Sequence, residues 1–437
     1  MINNNVILAL KNKSWIDAVL TFSRQFLAGL MQLCITIIVA RALGSEGMGA
    51  YAVALLLPTL LSQLLSFGLV PANVYFLASR QFDSTTVWAT SRDISVIVAL
   101  LGTCLAGTLI FIIGSKIFPG VPTSTLLIAM FIFPASLLTG MVTSLFQAWQ
   151  DFRSFNLLIL AQPTFALLGA AGLLISDKFS LNYVIIAAVV SHALGLLLGL
   201  VRLRTKVFLT ARDVSGSKYL GVALRYGMKA HVGGIATALI SRSDIFMVNF
   251  FLGPGLAGIY TVAVRIIQQV WLVSQAASAV IFPKLSSMHP DEPNRLSFLS
   301  VVSSIVFWSA GFIAFLIFLL SDIVIEILFG PDFKDAVPPL LILLLGVLVF
   351  SSARVLATDF AARNLIHLNL YLTLTTMVIN IIANWILIPH FGLVGAAVAT
   401  SGSYLFNFLV RLALQQITTG FVWWWAVFPN VLFSKKN

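Results

Sequence analysis

Three arginines lie inside long apolar stretches of the sequence, where a charged side chain needs a physical reason. They are Arg24, Arg242 and Arg265. A guanidinium inside a bilayer costs at least ~2.5–3.5 kcal/mol, so such residues normally face a protein interior or a wet cavity. Their planar donors bind phosphate oxygens in pairs. The pattern therefore predicts a hydrated, cationic cavity in which these three side chains bind an anionic ligand.

An acid, Asp244, lies in the same apolar stretch as two of these arginines. At ~1.5 Å per residue, Asp244 and Arg265 lie at similar depths, roughly 14 and 15 Å below the turn at Gly253. Two interpretations stay open. Asp244 forms a buried ion pair with Arg242 or Arg265, which we favour, or it carries a coupling proton or cation.

Uncharged polar residues accompany the arginines at helical spacing. Gln32 follows the first arginine, Gln268 and Gln269 follow the third, and Asn380 belongs to an Asn/Thr stripe nearer the C-terminus. These side chains either line the hydrated cavity and bind substrate or join neighbouring helices by hydrogen bonds, which we favour for the Asn/Thr stripe. His192, alone in its apolar segment, is interpreted as a hydrogen-bonded core residue rather than a proton relay.

Membrane-spanning helices are the elements that must position these residues. The chain has 437 residues, of which 59% are hydrophobic and only 9% charged, with a mean hydropathy of +1.01. Soluble proteins average about 25% charged residues. Twelve apolar segments reach the roughly 20 residues that a bilayer requires. The sequence predicts an all-α integral membrane protein with about twelve transmembrane helices, and an interfacial helix in the tail at 421–433.

The net charge of +11 does not indicate a nucleic-acid partner, because the basic residues follow the positive-inside rule. With a cytoplasmic N-terminus, 17 Lys and Arg residues fall on the inner side and 4 on the outer side. Cys34 and Cys104 both lie in apolar segments, so neither a disulfide framework nor a metal site is predicted. We also predict no cofactor.

An internal repeat relates the two halves of the chain. Leu43 to Tyr51 reads LGSEGMGAY and Leu252 to Tyr260 reads LGPGLAGIY, with an offset of 209 residues. A basic linker separates six predicted spans from six others, so both halves share one orientation and the repeat is parallel. The predicted architecture is two six-helix lobes, residues 1–212 and 213–437, around a central cavity, with the short interfacial tail at the end of the second lobe.

Several degenerate motifs, taken together, give the chain a family resemblance. These motifs are Ala40-Arg41-Ala42-Leu43-Gly44 with Gly49 and Tyr51, Arg242 and Asp244 with Leu252-Gly253, Gly258 and Tyr260, Phe282-Pro283-Lys284-Leu285, Asn380 with Asn384, and Ile388 to Ala397. With them the chain resembles the polysaccharide flippases of the multidrug/oligosaccharidyl-lipid/polysaccharide exporter superfamily, and within them the O-antigen flippases of lipopolysaccharide biosynthesis.

The resemblance implies transport of an undecaprenyl-pyrophosphate-linked oligosaccharide from the cytoplasmic to the periplasmic leaflet of the bacterial inner membrane. Arginines would bind the pyrophosphate, amides and hydroxyls would bind the sugars, and two rocking lobes would give alternating access. A proton or sodium ion would supply the energy. A polysaccharide polymerase and a chain-length regulator are the protein partners that the resemblance suggests.

Two other classes of function stay open. A multidrug or cation antiporter of the same superfamily would need an acidic cavity, whereas the predicted cavity is rich in arginine. A membrane glycosyltransferase or ligase would need a reactive acid or base on an outer loop or a large outer domain. The sequence contains no phosphate-binding loop, metal-ligand spacing or nucleophile motif, so we predict a transporter and not an enzyme.

The distribution of basic residues makes the topology testable. A reporter fused after Ser217 should report a cytoplasmic location, and one fused after Pro254 a periplasmic location. Alkaline phosphatase and a fluorescent protein, used in parallel at both sites, make the measurement. Opposite signals at both sites would contradict the two-lobe topology.

Overall fold

A computed structural model describes residues 4–204, 206, 216–289 and 292–429. The described residues form helices and no strands, together with two 3₁₀ turns at Pro331–Ala336 and Trp423–Ala426. The α-helices in chain order are α1 (Asn4–Leu64), α2 (Leu69–Ala78), α3 (Ser84–Ile117), α4 (Thr123–Ala129), α5 (Ile132–Ala148), α6 (Phe152–Ile175), α7 (Leu181–Arg204), α8 (Gly216–Ile240), α9 (Ser243–Leu252), α10 (Pro254–Ser287), α11 (Pro293–Leu328), α12 (Val337–Ala362) and α13 (Ile366–Thr419).

The helices account for the predicted number of spans. Nine helical stretches in the described chain are long and apolar enough to cross a membrane, and the bent pair Ala230–Ile240 and Ser243–Leu252 makes a tenth span. Two of the nine stretches each consist of two helical segments, because the backbone leaves the helical conformation at Gly44 in α1 and at Gly392 in α13. Each resulting piece is long enough to span. Counting them separately gives the predicted twelve, and the chain is a multi-pass, all-α membrane protein.

The sequence repeat recurs in the backbone. Gly44 has φ 67° and ψ −171°, and Gly253, its counterpart 209 residues later, has φ 85° and ψ 175°. Side-chain-bearing residues rarely adopt this conformation, which suits glycine. The same backbone turn therefore joins two helical segments in each half of the chain, which agrees with the predicted repeat at its best-matched motif.

The two repeated turns also contact each other reciprocally. A Cβ atom on Gly49 would lie 1.7 Å from the carbonyl oxygen of Pro254, and one on Gly258 would lie 2.0 Å from that of Ser45. Gly49 corresponds to Gly258 and Ser45 to Pro254 in the repeat. Each half thus presents the same surface to the other, as the subunits of a two-fold dimer do. The absence of a side chain permits this backbone contact.

The chain divides into two compact units, which differ from the predicted lobes. One contains Leu30–Thr261, and the other contains Met1–Gly29 together with Val262–Asn437. The units are defined by contacts, whereas the predicted lobes are defined by the repeat. The predicted boundary between residues 212 and 213 lies outside the described residues, so the lobes 1–212 and 213–437 stay a prediction.

A buried ionic network joins helix ends in the unit that contains Val262–Asn437. Asp359 on α12 is fully buried and accepts hydrogen bonds from Arg295 of α11 at 2.7 and 2.9 Å. Arg363 and Gln415 donate to its other oxygen at 2.8 and 2.7 Å. Arg295 also donates to the carbonyl oxygens of Leu285 and Met288 at the end of α10. The network ties four helices together.

In the Leu30–Thr261 unit, a polar cluster anchors the start of α8. Asn73 of α2 is fully buried, donates to Ser144 at 3.0 Å and accepts from Ser91 at 3.0 Å. The Tyr219 hydroxyl of α8 donates to the same Asn73 oxygen. Burial raises the pKa of Tyr219, so its hydroxyl keeps the proton that this bond requires. The residues that follow the basic linker are thereby fixed to α2 and α3.

Aspartates begin two helices of the same unit. Asp83 caps α3 by accepting from the Thr86 backbone N–H at 2.9 Å, and Asp151 caps α6 by accepting from the Ser154 N–H at 3.2 Å. Partial burial opposes the charge of Asp83, but hydrogen bonds from Thr85 and Thr86 outweigh it and lower its pKa to about 2. The ionised carboxylates satisfy free amides at both helix starts.

The C-terminal tail does not form the predicted interfacial helix in its described part. Residues 423–426 form a 3₁₀ turn. Carbonyl oxygens of this turn and of the next residue accept hydrogen bonds from side chains of α11. Ser300 donates to Trp425 at 3.0 Å, Ser303 to Ala426 at 3.1 Å, and the Trp308 indole to Val427 at 2.9 Å. These side-chain donors replace the helical hydrogen bonds. Residues 430–433 of the predicted segment lie outside the described residues.

The reciprocal glycine contact should be intolerant of any side chain. Gly49→Ala and Gly258→Ala should each lower the free energy of unfolding by roughly 1–3 kcal/mol, because the added methyl group overlaps a backbone carbonyl. Thermal unfolding of the purified protein in lipid nanodiscs makes the measurement. Gly172→Ala is the matched control, since nothing lies within 4 Å of its Cβ position. Equal stability of all three variants would show that the turns do not touch.

Candidate functional site

A membrane-embedded helix breaks at Arg242. Helix α8 ends at Ile240, α9 begins at Ser243, and the two segments meet at 42°. Arg242 lies at this break with φ −143° and ψ −16°, and its Nη1 donates to the Thr59 hydroxyl of α1 at 2.8 Å. The Thr59 hydroxyl in turn donates to carbonyl oxygens of its own helix at 2.8 and 2.9 Å. The span formed by Ala230–Ile240 and Ser243–Leu252 is therefore two half-helices.

The break gives Arg242 a setting suited to anions. The first amide groups of a helix have no intrahelical acceptor, and its N-terminus carries roughly +0.5 elementary charge. Helix α9 has 10 residues, which is long enough to produce a helix dipole, and Arg242 is the N-cap residue at its positive end. In transporters, discontinuous helices direct such ends towards charged groups of a substrate near the bilayer midplane. The arrangement combines a guanidinium and a helix dipole inside the membrane.

Asp244 lies in the first turn of α9 and is only 2% exposed. Its Oδ2 accepts from the Tyr260 hydroxyl at 2.9 Å, and its Oδ1 accepts from the Ile245 N–H at 2.8 Å. A carboxylate is favoured at a helix N-terminus. The contact with Tyr260 stabilises the buried acid within its own compact unit. The predicted pairing with Arg242 or Arg265, and the alternative ion-coupling role, stay predictions.

The other predicted arginines lie in the unit that contains Val262–Asn437. Arg24 of α1 is 7% exposed. Arg265 of α10 is half-buried and donates from Nη1 to the Gln268 side-chain oxygen at 3.1 Å. Gln269 Nε2 lies 3.4 Å from the Arg265 carbonyl oxygen, and a Cβ atom on Gly29 would lie 3.2 Å from Gln269 Oε1. Residues of α1 just after Arg24 therefore pack against the face of α10 that carries the glutamines.

Two further predicted residues have different settings. Gln32 is exposed on α1 and belongs, with Arg242 and Asp244, to the unit Leu30–Thr261. Asn380 is fully buried in α13, and its Nδ2 lies 3.4 Å from the Thr400 hydroxyl across the Gly392 break. That contact joins two helical segments, which is the geometry of the interhelical alternative. Substrate binding by Gln32 and Asn380 stays a prediction.

Two side chains of this site have roles that the sequence did not predict. Thr59 supplies the oxygen that orients Arg242, and Tyr260 supplies the hydroxyl that holds Asp244. Tyr260 could have been found from the repeat, since it is one of the residues that both halves retain. Thr59 precedes Arg242 by 183 positions, and no local pattern connects them. Among the described residues, no group of three His, Cys, Asp or Glu side chains could hold a metal ion.

Comparison with solved structures defines the fold. The chain resembles the structure titled lipid II flippase MurJ in an inward closed conformation, with a TM-score of 0.73 and 16% identity over 91% of this chain and 87% of that one. An inward-facing multidrug resistance MATE family transporter of the MOP superfamily matches with a TM-score of 0.71 and 15% identity over 90% and 96% of the two chains. The class is thus a multi-pass membrane protein with the fold of these transporters.

Comparison of sequences then gives the family. A family model described as polysaccharide biosynthesis protein matches residues 14–289, and the chain belongs to that family. A curated relative is the probable low-salt glycan biosynthesis flippase Agl15 of Haloferax volcanii, 29% identical over 244 residues, which are 55% of this chain and 50% of that protein. An uncharacterized membrane protein of Methanocaldococcus jannaschii is 24% identical over 53% of this chain and 46% of that protein. The chain spans about half the length of these curated relatives.

The Tyr260 hydrogen bond to buried Asp244 should be measurable by a double-mutant cycle. Tyr260→Phe should lower the free energy of unfolding by about 1.5–3 kcal/mol, the range for hydrogen bonds to charged groups. In an Asp244→Ala background the same change should cost almost nothing, because its acceptor is gone. Thermal unfolding in nanodiscs supplies the values, with Tyr183→Phe at an exposed position as the control. Additive losses would show that the two residues do not interact.

Proposed function

We propose that the protein is a flippase that moves a lipid-linked oligosaccharide across the membrane by alternating access. The family match and the Haloferax relative, described as a probable glycan biosynthesis flippase, support a glycan-linked substrate. The observation that carries the proposal is the position of Arg242 at a helix break inside the membrane. The pyrophosphate and sugars of such a substrate cannot enter hydrocarbon, so they need a polar route, whereas the polyprenyl chain can stay in lipid.

The finer proposal concerns the substrate and the membrane. The proposed cargo is an O-antigen unit on undecaprenyl pyrophosphate, moved from the cytoplasmic to the periplasmic leaflet of a bacterial inner membrane. Arg24, Arg242 and Arg265 would bind the pyrophosphate, and Gln32, Gln268, Gln269 and Asn380 would contact the glycan. A proton or sodium ion, with Asp244 as its candidate site, would drive the cycle. A polymerase and a chain-length regulator would receive the product.

A multidrug or cation antiporter is the second candidate, because the MATE transporter fold is shared. Arginines at mid-membrane positions oppose it, since they repel a cationic drug. A glycosyltransferase or ligase has less support, because the solved structures that share the fold are titled as a flippase and a transporter. Under the antiporter hypothesis, deletion of the gene would sensitise cells to cationic dyes while surface glycan persists.

Arg24 and Arg242 provide the test of the anion-binding role. Arg24→Ala or Arg242→Ala should reduce surface glycan at least tenfold at normal levels of membrane-inserted protein. Lysine at either site should restore only part, because it keeps the charge but lacks the planar fork that grips phosphate. The measurement is surface-glycan display per inserted protein in a deletion strain.

The matched control for these variants is Arg153→Ala, which removes an exposed arginine at the start of α6. Full display from both alanine variants would contradict the anion-binding role. A loss of display in strict proportion to a loss of inserted protein would show instead that the arginines serve folding alone.

A further inference from the structure

A cavity whose wall carries five polar side chains among apolar ones lies between α5, α6 and α7, near the middle of the membrane. Its volume is about 280 Å³. Its polar lining comprises Ser136, Thr139 and Thr143 of α5, Gln162 of α6 and His192 of α7. Gln162 and His192 lie close to the centres of 24-residue helices, so both are roughly 15–20 Å from either helix end. All five residues belong to the compact unit Leu30–Thr261.

Several polar groups of this cavity lack protein partners within the described part of the chain. The side chains of Ser136, Thr139 and Gln162 make no hydrogen bond there. The Thr143 hydroxyl donates to its own helix at 2.9 and 3.0 Å, which leaves its lone pairs available. Polar groups at membrane depth are normally satisfied by protein, so this lining requires water or a bound polar ligand.

His192 and Pro163 add acceptors to the lining. His192 Nδ1 lies 2.8 Å from the Ala188 carbonyl oxygen, so Nδ1 carries the proton and Nε2 is an acceptor in the neutral ring. Pro163 lies inside α6 and has no N–H group, so the carbonyl of Ile159, a residue of the cavity wall, has no helical donor. The cavity therefore combines hydroxyl and amide donors with several free acceptors.

The chemistry of the lining selects the ligand class. It contains no carboxylate or arginine, and a single imidazole, so neither a phosphate nor a metal ion matches it. A mixture of uncharged donors and acceptors matches the hydroxyl groups of a sugar, each of which both donates and accepts. The volume is close to the lower limit of about 300 Å³ for small-molecule pockets and far exceeds the ~30 Å³ of one water.

We propose that this cavity is a glycan subsite that holds one neutral sugar residue of the transported oligosaccharide. The proposal rests on the proposed flippase function and separates two tasks within it. Arginines elsewhere bind the pyrophosphate, whereas the α5–α7 cavity binds the sugar by hydrogen bonds from hydroxyl, amide and imidazole groups. A cavity that holds only water would contradict this assignment.

Filling the cavity tests the proposal in cells. Gly195 is part of the wall, and its Cβ position lies 3.8 Å from Gln162, so a methyl group fits and a larger side chain enters the cavity. Gly195→Leu and Gln162→Leu should each reduce surface glycan at least tenfold per inserted protein, and Gly195→Ala should reduce it little. Gly172→Leu, on α6 with open space around its Cβ position, is the matched control and should keep full display.

A binding measurement with free oligosaccharide tests the sugar contact without any contribution from the pyrophosphate. With Cys34 and Cys104 changed to Ala, a cysteine at Thr139 should react with a small charged methanethiosulfonate because the cavity is wet. Oligosaccharide released by mild acid from the cell's own lipid-linked pool should slow this reaction at least fivefold. Ser176→Cys, at an exposed position after α6, should react without protection.

The outcomes separate the two proposals. If the deletion strain keeps its surface glycan, the flippase function fails. If the deletion strain loses glycan while Gly195→Leu and Gln162→Leu restore it fully, the cavity holds water only and the subsite is refuted. Absence of protection at Thr139→Cys by the released oligosaccharide refutes the subsite as well. Loss of display in both filling variants, with protection of the cysteine, establishes it.

Discussion

Every polar group inside the membrane must find a partner, and this constraint determines most of the structure. Unsatisfied backbone or charged groups cost several kcal/mol in hydrocarbon, so the described chain is helical and its buried charges are bonded. Buried Asp244 accepts from the Tyr260 hydroxyl, and the Arg242 guanidinium donates to Thr59. Where the constraint is not met within the protein, as between α5, α6 and α7, a polar ligand or water must meet it.

The repeat explains how the two halves of the chain share one backbone geometry but carry different polar side chains. Gly44 and Gly253 turn the chain in the same way, and Gly49 and Gly258 pack reciprocally. Duplication thus preserves the backbone geometry at the contact between the halves, where no side chain fits. The polar side chains differ between the two halves even though the backbone is shared. Arg265, for example, corresponds to an apolar leucine in the first half. A symmetric frame with asymmetric lining can bind a ligand whose two ends differ.

The sequence predicted the helices and the repeat, because each depends on local composition or spacing. It did not predict the break between α8 and α9, since neither glycine nor proline lies between Ile240 and Ser243. Nor did it predict Thr59 as the partner of Arg242, because that contact depends on tertiary packing. The stripe containing Asn380 has the right helical period for a cavity, yet its contact with Thr400 shows that the same period also serves helix packing.

The first turn of α9 illustrates why a buried acid need not abolish an anion site. Arg242 and Asp244 nearly cancel in formal charge, but the helix pole adds roughly half a positive charge at the same place. Asp244 accepts from Tyr260 and from the backbone, so its oxygens are directed to those donors. The Arg242 guanidinium is always protonated, and its bond to the uncharged Thr59 hydroxyl leaves that positive charge in place. A buried acid beside the arginine is thus compatible with a positive potential at the start of α9.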